Sequence, residues 1–358
     1  MTNKERILNT VEFKKVDRAP IVFYFGPWGE TWDIWRQQGY RDGDYETCGI
    51  DPGFEIIDVD LGYLPKFERV VLEDKGTTSI IIDEMGVTQE IMNGKSMIPR
   101  YISYPVETRE DWMELKKRLD PDDPKRFPEN WEERKKFYNT TDKVVQLGCF
   151  PYGLFGTLRD MMGVENLSMN FYDEPELVQE MMDYLTDFWL SIYEKVVKDV
   201  NVDAIHIWED MSGKSGSLIS PDMVREFMVP NYKKITAFAK KHNIKMIALD
   251  TDGDCDQLIP LFMEAGINTI MPFEVIAGND INTYRAKYPD LVMMGGIDKL
   301  EIAKGKEAID RELERIRPMF KKGGYMPALD HLIHPDISWP DFQYFVKRLI
   351  EVAEEESK

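Results

Sequence analysis

From residue 144 onward the chain repeats one unit, and that repetition limits the fold more than any other feature. Apolar runs at residues 144–150, 204–208, 246–249, 269–273, 291–295 and 325–329 alternate with amphipathic stretches at 174–197, 221–242, 256–265, 281–287, 305–320 and 339–354. A short run apolar on both faces, followed by a helix, marks a parallel strand and its crossover, because helices cover both faces of a parallel sheet. The six units, joined by one or two strands from the N-terminal half, predict an α/β fold, the eight-stranded (β/α)8 TIM barrel. A doubly wound open sheet is the rival, yet no Gly-rich phosphate loop follows any strand, so nucleotide binding has no support.

The first 142 residues are less regular. Residues 3–12 read as a helix, 21–25 as an apolar run broken by Gly26-Pro27-Trp28-Gly29, 32–38 as an aromatic helical turn and 54–61 as a further strand. Alternation across residues 69–90 around Asp74-Lys75-Gly76 and Glu84-Met85-Gly86 predicts a small antiparallel meander. The Pro-punctuated, charged stretch 105–139 predicts a surface helical insertion without a core of its own. The whole of 1–358 therefore reads as one domain: N-terminal strands, meander and insertion over 1–142, then regular βα units over 143–358.

The ends of the strands carry the chemistry. In a barrel of this kind the loops after the strands build one mouth, and here they read Glu209-Asp210, Asp250-Thr251-Asp252, Glu274, Asp298 and Asp330-His331. The densest is residues 245–257, where Asp250, Asp252, Asp254 and Asp256 alternate after an apolar run. Like charges this close repel unless a cation sits among them. An acid after a strand is often the N-cap of the next helix, which is the expectation for Asp254 and Asp298. Glu209 and Asp210 precede a loop at 211–217, so capping explains them poorly, and Glu209, Asp210 and Asp330 are candidate acid/base groups. Carboxylates with a distant imidazole suit a divalent metal, zinc first and iron or manganese with other geometries. Glu274 reads equally as a rim charge or a substrate contact. Trp28 and Trp32, with Trp35, either roof an apolar substrate or pack the N-terminal segment; Phe150, Tyr152 and Trp208 at strand ends are further substrate candidates. Cys255 and the paired methionines read as core filling.

Composition narrows the partners. A net charge of −20, from 45 basic and 65 acidic residues, argues against nucleic acid and anionic membrane surfaces, both of which need a basic face. No apolar run approaches the roughly 20 residues needed to span a bilayer. The polar start of the chain and three scattered cysteines predict a soluble cytoplasmic enzyme in a reducing compartment.

Several segments are similar to the uroporphyrinogen decarboxylase superfamily, which includes the decarboxylase and zinc-dependent, corrinoid-linked methyltransferases. The likeness runs from Leu147 to the end, with a weaker echo at Arg18-Ala19-Pro20. It rests on Gly148-Cys149-Phe150-Pro151-Tyr152-Gly153, on residues 219–230 (similar to an SPxxFxEFxxP segment), on Gly295-Gly296-Ile297-Asp298, and on the closing run from Gly323 to His331. The resemblance implies a distorted (β/α)8 barrel, a homodimer, and one of two chemistries. The decarboxylase's RQAGR signature is absent, Trp35-Arg36-Gln37-Gln38-Gly39-Tyr40 being only a faint likeness. The methyltransferases' His-x-Cys zinc pair falls on Asp250 and Asp252, and their last cysteine on His331. The resemblance thus implies a metal on Asp250, Asp252 and His331 in a harder O/N site, suited to polarising an oxygen. The reading is a metal-dependent methyltransferase of the O-demethylase kind, moving a methyl group from a small methylated substrate to a corrinoid carried by a partner protein. The alternatives are a cofactor-free decarboxylase acting on a tetrapyrrole or smaller acid, and a non-catalytic corrinoid or porphyrin binder.

Overall fold

The computed structural model describes residues 1–94 and 98–357. In chain order, β1 (Phe54–Ile56) precedes an antiparallel meander of β2 (Val70–Asp74), β3 (Thr78–Ile82), β4 (Thr88–Met92) and β5 (Arg100–Ser103). Then come β6 (Val144–Leu147), β7 (Ala204–Trp208), a two-stranded hairpin of β8 (Ser212–Gly213) and β9 (Gly216–Ser217), β10 (Met246–Thr251), β11 (Thr269–Pro272), β12 (Val292–Met294) and β13 (Tyr325–Met326). The meander extends one strand beyond the span expected, and a hairpin replaces the loop expected after β7.

Seven strands form one curled parallel sheet in the order β1-β6-β7-β10-β11-β12-β13. This corrects the eight-stranded expectation, since among the described residues no pairing joins β13 to β1. Residues 21–25 lie between these edges without strand hydrogen bonding of their own. The Tyr24 ring packs 5.3 Å from Phe54 at the start of β1, and Pro27 bridges to Ile333 beyond β13. An ion network pins the segment: Arg18 pairs with buried Asp51 at 2.6 Å, whose other oxygen accepts the Ile21 N–H at 2.9 Å.

The inner face of the sheet carries its own apolar cluster of Val144, Ala204, Met246, Ala248, Met271, Val292, Met294 and Met326. Helix Asn3–Val11 closes the end opposite the mouth, inserting Ile7 and Val11 into this cluster. A larger core lies between the sheet and its outer helices, and the 105–139 insertion joins it through Trp112, Leu115, Leu119 and Tyr138 rather than building another. Helices Leu154–Met162 and Val164–Asp173 were not expected from the sequence. The first begins at Gly153 with no capping side chain of its own, because its cap comes from a distant strand. Among the described residues no helix is long and apolar enough to cross a membrane.

Candidate active site at the sheet's C-terminal edge

The pleat of β10 sends alternate residues inward, so Asp250 and then Asp252 follow Met246 and Ala248 on the same face. Gly253 turns the chain at φ +70°, and a Cβ there would meet the Ser212 carbonyl oxygen at 2.4 Å. The freed Gly253 N–H donates to Glu274 Oε2 at 3.0 Å, drawing Glu274 from the end of β11 beside Asp252. From beyond β13, His331 brings Nε2 to 3.3 Å from Asp252 Oδ2 and stacks on Phe25 at 5.3 Å. One donor atom each from Asp252, Glu274 and His331 lies within 4.8 Å of the others. Burial works to lower the His331 pKa, but the bond to Asp252 and the charges of Asp252 and Glu274 prevail and raise it.

Two cations sit among the acids. Lys299 Nζ lies 3.3 Å from Asp330 Oδ1 and 3.6 Å from Glu274 Oε1. It is thrown back into the mouth because Asp298 caps the helical turn Lys299–Ile302, as expected for Asp298. Arg159 pairs with Asp210 Oδ2 at 2.7 Å and lies over the Trp208 ring at 5.0 Å. Burial raises the Asp210 pKa, and Asp252 adds to the rise while Arg159 opposes it. The sequence reading passed over both cations; the available signal was a lysine directly after a strand-end acid.

Several expected site residues do other work. Glu209 is fully buried and accepts the N–H groups of Leu154, Phe155 and Gly156 at 2.9, 2.6 and 3.2 Å and the Tyr232 hydroxyl at 2.7 Å. It caps helix Leu154–Met162 from 55 residues away, which a carboxylate does well at the positive end of a helix. Burial still pushes its pKa up to about 7 against those four bonds. These four bonds give Glu209 a place in the scaffold at the start of that helix. Asp330 is 1% exposed and accepts the N–H groups of Val275 at 2.9 Å and Lys299 at 3.1 Å, so it positions Lys299 rather than meeting substrate.

Asp250 is not with Asp252 and His331. It lies one layer deeper with Oδ2 3.5 Å from His206 Nε2, and Glu274 takes the place expected of it. Burial raises the Asp250 pKa. Trp32 packs against Trp35, Tyr40 and Tyr45, which settles it as packing, while Trp28 is half-buried and donates its backbone N–H to the Ile333 carbonyl. The Tyr152 ring faces Trp189, and a Cβ on Gly62 would meet its hydroxyl at 2.8 Å. Trp208 is 8% exposed beneath Phe150, which is 65% exposed. Asp254 does not cap the following helix, which starts at Ile259; its carboxylate accepts the Asp256 N–H instead.

A narrow recess of about 10 Å³, room for about one water, opens inward from His331 between Phe23, Tyr24, Phe25, Met271 and Met294. Above it, two carboxylates and an imidazole form a donor set that suits zinc, manganese or iron. The fit is supported by the backbone N–H that orients Glu274 and the ring that holds His331, since such outer contacts fix ligand geometry.

The family description of uroporphyrinogen decarboxylase (URO-D) matches residues 77–352. By sequence no curated protein matches the chain. Among solved structures, a methyltransferase from Methanosarcina mazei matches with a TM-score of 0.63 at 16% identity, covering 99% of this chain and 99% of that one. At that identity the likeness concerns the fold.

Proposed function

The chain belongs to the uroporphyrinogen decarboxylase (URO-D) family, and from that premise we propose that it is a metal-dependent methyltransferase, moving a methyl group from a small methylated donor such as a methyl ether to the corrinoid of a partner protein. The observation that carries the reading is the meeting of Asp252, Glu274 and His331 at the mouth. The two cations beside them, Lys299 and Arg159, are each already paired with an acid. A substrate bearing many carboxylates would meet net negative charge there, which disfavours the decarboxylase chemistry. A donor without charge meets no such barrier.

A divalent metal on Asp252, Glu274 and His331, zinc first, would supply Lewis acidity towards the donor oxygen. The remaining work falls to the chain's own groups. Phe25 and Phe150 flank the mouth and exclude water from the donor's apolar part. A corrinoid on the partner protein would supply the methyl acceptor; transfer would break the donor's carbon–oxygen bond and leave its electron pair on the donor oxygen. That oxygen takes a proton from the Lys299 ammonium, which Asp330 holds beside Glu274, with Asp210 as the second group in reach of the mouth. The homodimer implied by the family belongs to the same proposal.

Metal analysis of the purified protein tests it. The expected result is one divalent metal per chain, lost together with methyl transfer to added corrinoid on chelation and in Asp252→Ala. Metal-free protein whose activity survives chelation would sink the reading, and conversion of uroporphyrinogen III to products with fewer carboxylates would replace it with the decarboxylase.

A further inference from the structure

Behind the mouth, one buried asparagine ties together the two loops that carry the acids of the donor set. The last paired residues of β10 and β11 are Thr251 and Pro272, so Asp252 and Glu274 lie just past the reach of the strand ladder. The short turn Val275–Ala277 ends at Gly278 with φ +100°. Helix Ile281–Lys287 then starts from Asp280, whose side chain caps it by accepting the Asn282 N–H. Asn279 is held between turn and helix and is 2% exposed. Its Nδ2 donates to the Gly253 carbonyl oxygen at 2.8 Å and to the Glu274 carbonyl oxygen at 2.9 Å. Its Oδ1 accepts the Tyr284 hydroxyl at 3.0 Å and the Cys255 thiol at 3.8 Å. Carbonyls can only accept, so the amide has a single orientation that satisfies both of its ends.

These bonds close a circuit between the two loops. The Gly253 N–H holds the Glu274 carboxylate at 3.0 Å, while Asn279 holds the Gly253 and Glu274 main chains at one spacing. Asp252 adjoins Gly253, so its carboxylate turns with the same peptide. The two carboxylates repel each other, and past Thr251 and Pro272 the strand ladder no longer opposes their parting. An amide with an N–H on each main chain does oppose it. We propose that Asn279 is the positioning residue of the donor set, holding Asp252 and Glu274 within reach of one divalent metal, with Tyr284 and Cys255 fixing its oxygen end. His331 enters from beyond β13 and is steadied by the Phe25 ring, so the role concerns the two acids alone. It rests on the metal reading of the mouth and adds to that reading a residue that itself touches no metal. Outer contacts of this kind are worth roughly tenfold to a hundredfold in metal affinity.

The test is the Zn²⁺ affinity of the intact protein, freed of metal and titrated in competition with a chromophoric chelator. Asn279→Leu keeps the size of the side chain and removes both donors. At a temperature where the metal-free variant is fully folded by circular dichroism, it should bind Zn²⁺ roughly tenfold more weakly or worse. The visible spectrum of bound Co²⁺, which reports coordination geometry, should change with it. A smaller loss of affinity overturns the role. A variant that unfolds earlier yet binds Zn²⁺ as the wild type does would show that Asn279 serves the scaffold alone. Tyr284→Phe removes only the hydroxyl behind the amide and should weaken binding roughly threefold, the worth of one modest hydrogen bond. Should Asn279→Leu fail to fold, Tyr284→Phe decides alone, and any smaller loss overturns the role. The two proposals fail separately. A wild type that binds neither Zn²⁺ nor Co²⁺ removes the metal reading and the role together, whereas a wild type and variant that bind metal equally remove the role alone. Weakened binding in Asn279→Leu, with no methyl transfer by the wild type, leaves the role and removes the methyltransferase.

Discussion

Glu209 and Asp252 leave neighbouring strands, β7 and β10, at one edge of one sheet, and both carry a carboxylate. Glu209 is wholly enclosed, its oxygens taken by three backbone N–H groups and a tyrosine hydroxyl. Asp252 keeps 31% of its side chain exposed, and its partner is His331, itself open to the mouth. The difference lies in what waits for each acid. A helix start stands over β7, with amides that need an acceptor, whereas beyond β10 stand another carboxylate and an imidazole. Position at a strand end brings an acid to the rim; the donors around it decide whether it serves the scaffold or the chemistry.

The largest effect is expected where the scaffold depends on one carboxylate. Glu209→Ala strands three buried N–H groups and the Tyr232 hydroxyl, and should cost about 3–4 kcal/mol of stability in urea unfolding. A loss under about 1 kcal/mol would erase the distinction from Asp252. Asp252→Ala should leave stability within about 0.5 kcal/mol while lowering methyl transfer about a hundredfold, near 3 kcal/mol of barrier. Lys299→Met leaves Asp330 buried without its cation and should destabilise by about 2 kcal/mol. In a double-mutant cycle with Asp330→Asn the two losses should be less than additive; strict additivity would mean that Asp330 does not hold Lys299.

The smallest effect sharpens the same contrast through pH. Asp160, beside Arg159, is an acid without a full set of donors, and burial raises it from its ordinary 3.8 to about 6. The folded state then binds this proton more tightly than the unfolded chain. Its contribution therefore grows as pH falls from about 6 towards 3.8 and is lost as pH rises through 6. Asp160→Asn should flatten that slope and stabilise the protein at pH 8 by about 1 kcal/mol, a value reduced for the group's partial exposure. An unchanged slope between pH 5 and 7 would show that Asp160 does not titrate there.

The parallel half was legible in the sequence because a strand buried on both faces and an amphipathic helix have different periods. Each of β6, β7, β10, β11, β12 and β13 begins where the apolar runs begin or within two residues of it. The edge between β13 and β1 was not legible, since residues 21–25 are as apolar as a strand but hold their place through side chains and the Arg18–Asp51 pair. Helix Leu154–Met162 was hidden for a related reason: its cap is supplied by Glu209, far away in sequence. At the site, the acids and His331 could be read from strand ends. The third member of the donor set could not, because Asp250 and Asp252 share a face and only the layering of the sheet separates them. Lys299 was obscured because it follows an ordinary cap, Asp298, whose geometry turns it inward.

The contact between the beginning and end of the chain also sets an order of events. Thr31 donates to the Ile333 carbonyl and Trp35 to the Ile337 carbonyl, each across 302 positions, and the Trp35 ring lies 4.9 Å from Trp339 and from Phe342. A ribosome adding about 5–20 residues per second needs about 15–60 s to make the partner of those first aromatic residues. Through that interval Trp32, Trp35 and Tyr40 have only one another and Tyr45 to pack on, and the contact that ties them to the closing helix waits on Trp339 and Phe342. For this segment, the partner that completes its packing is made long after the segment itself.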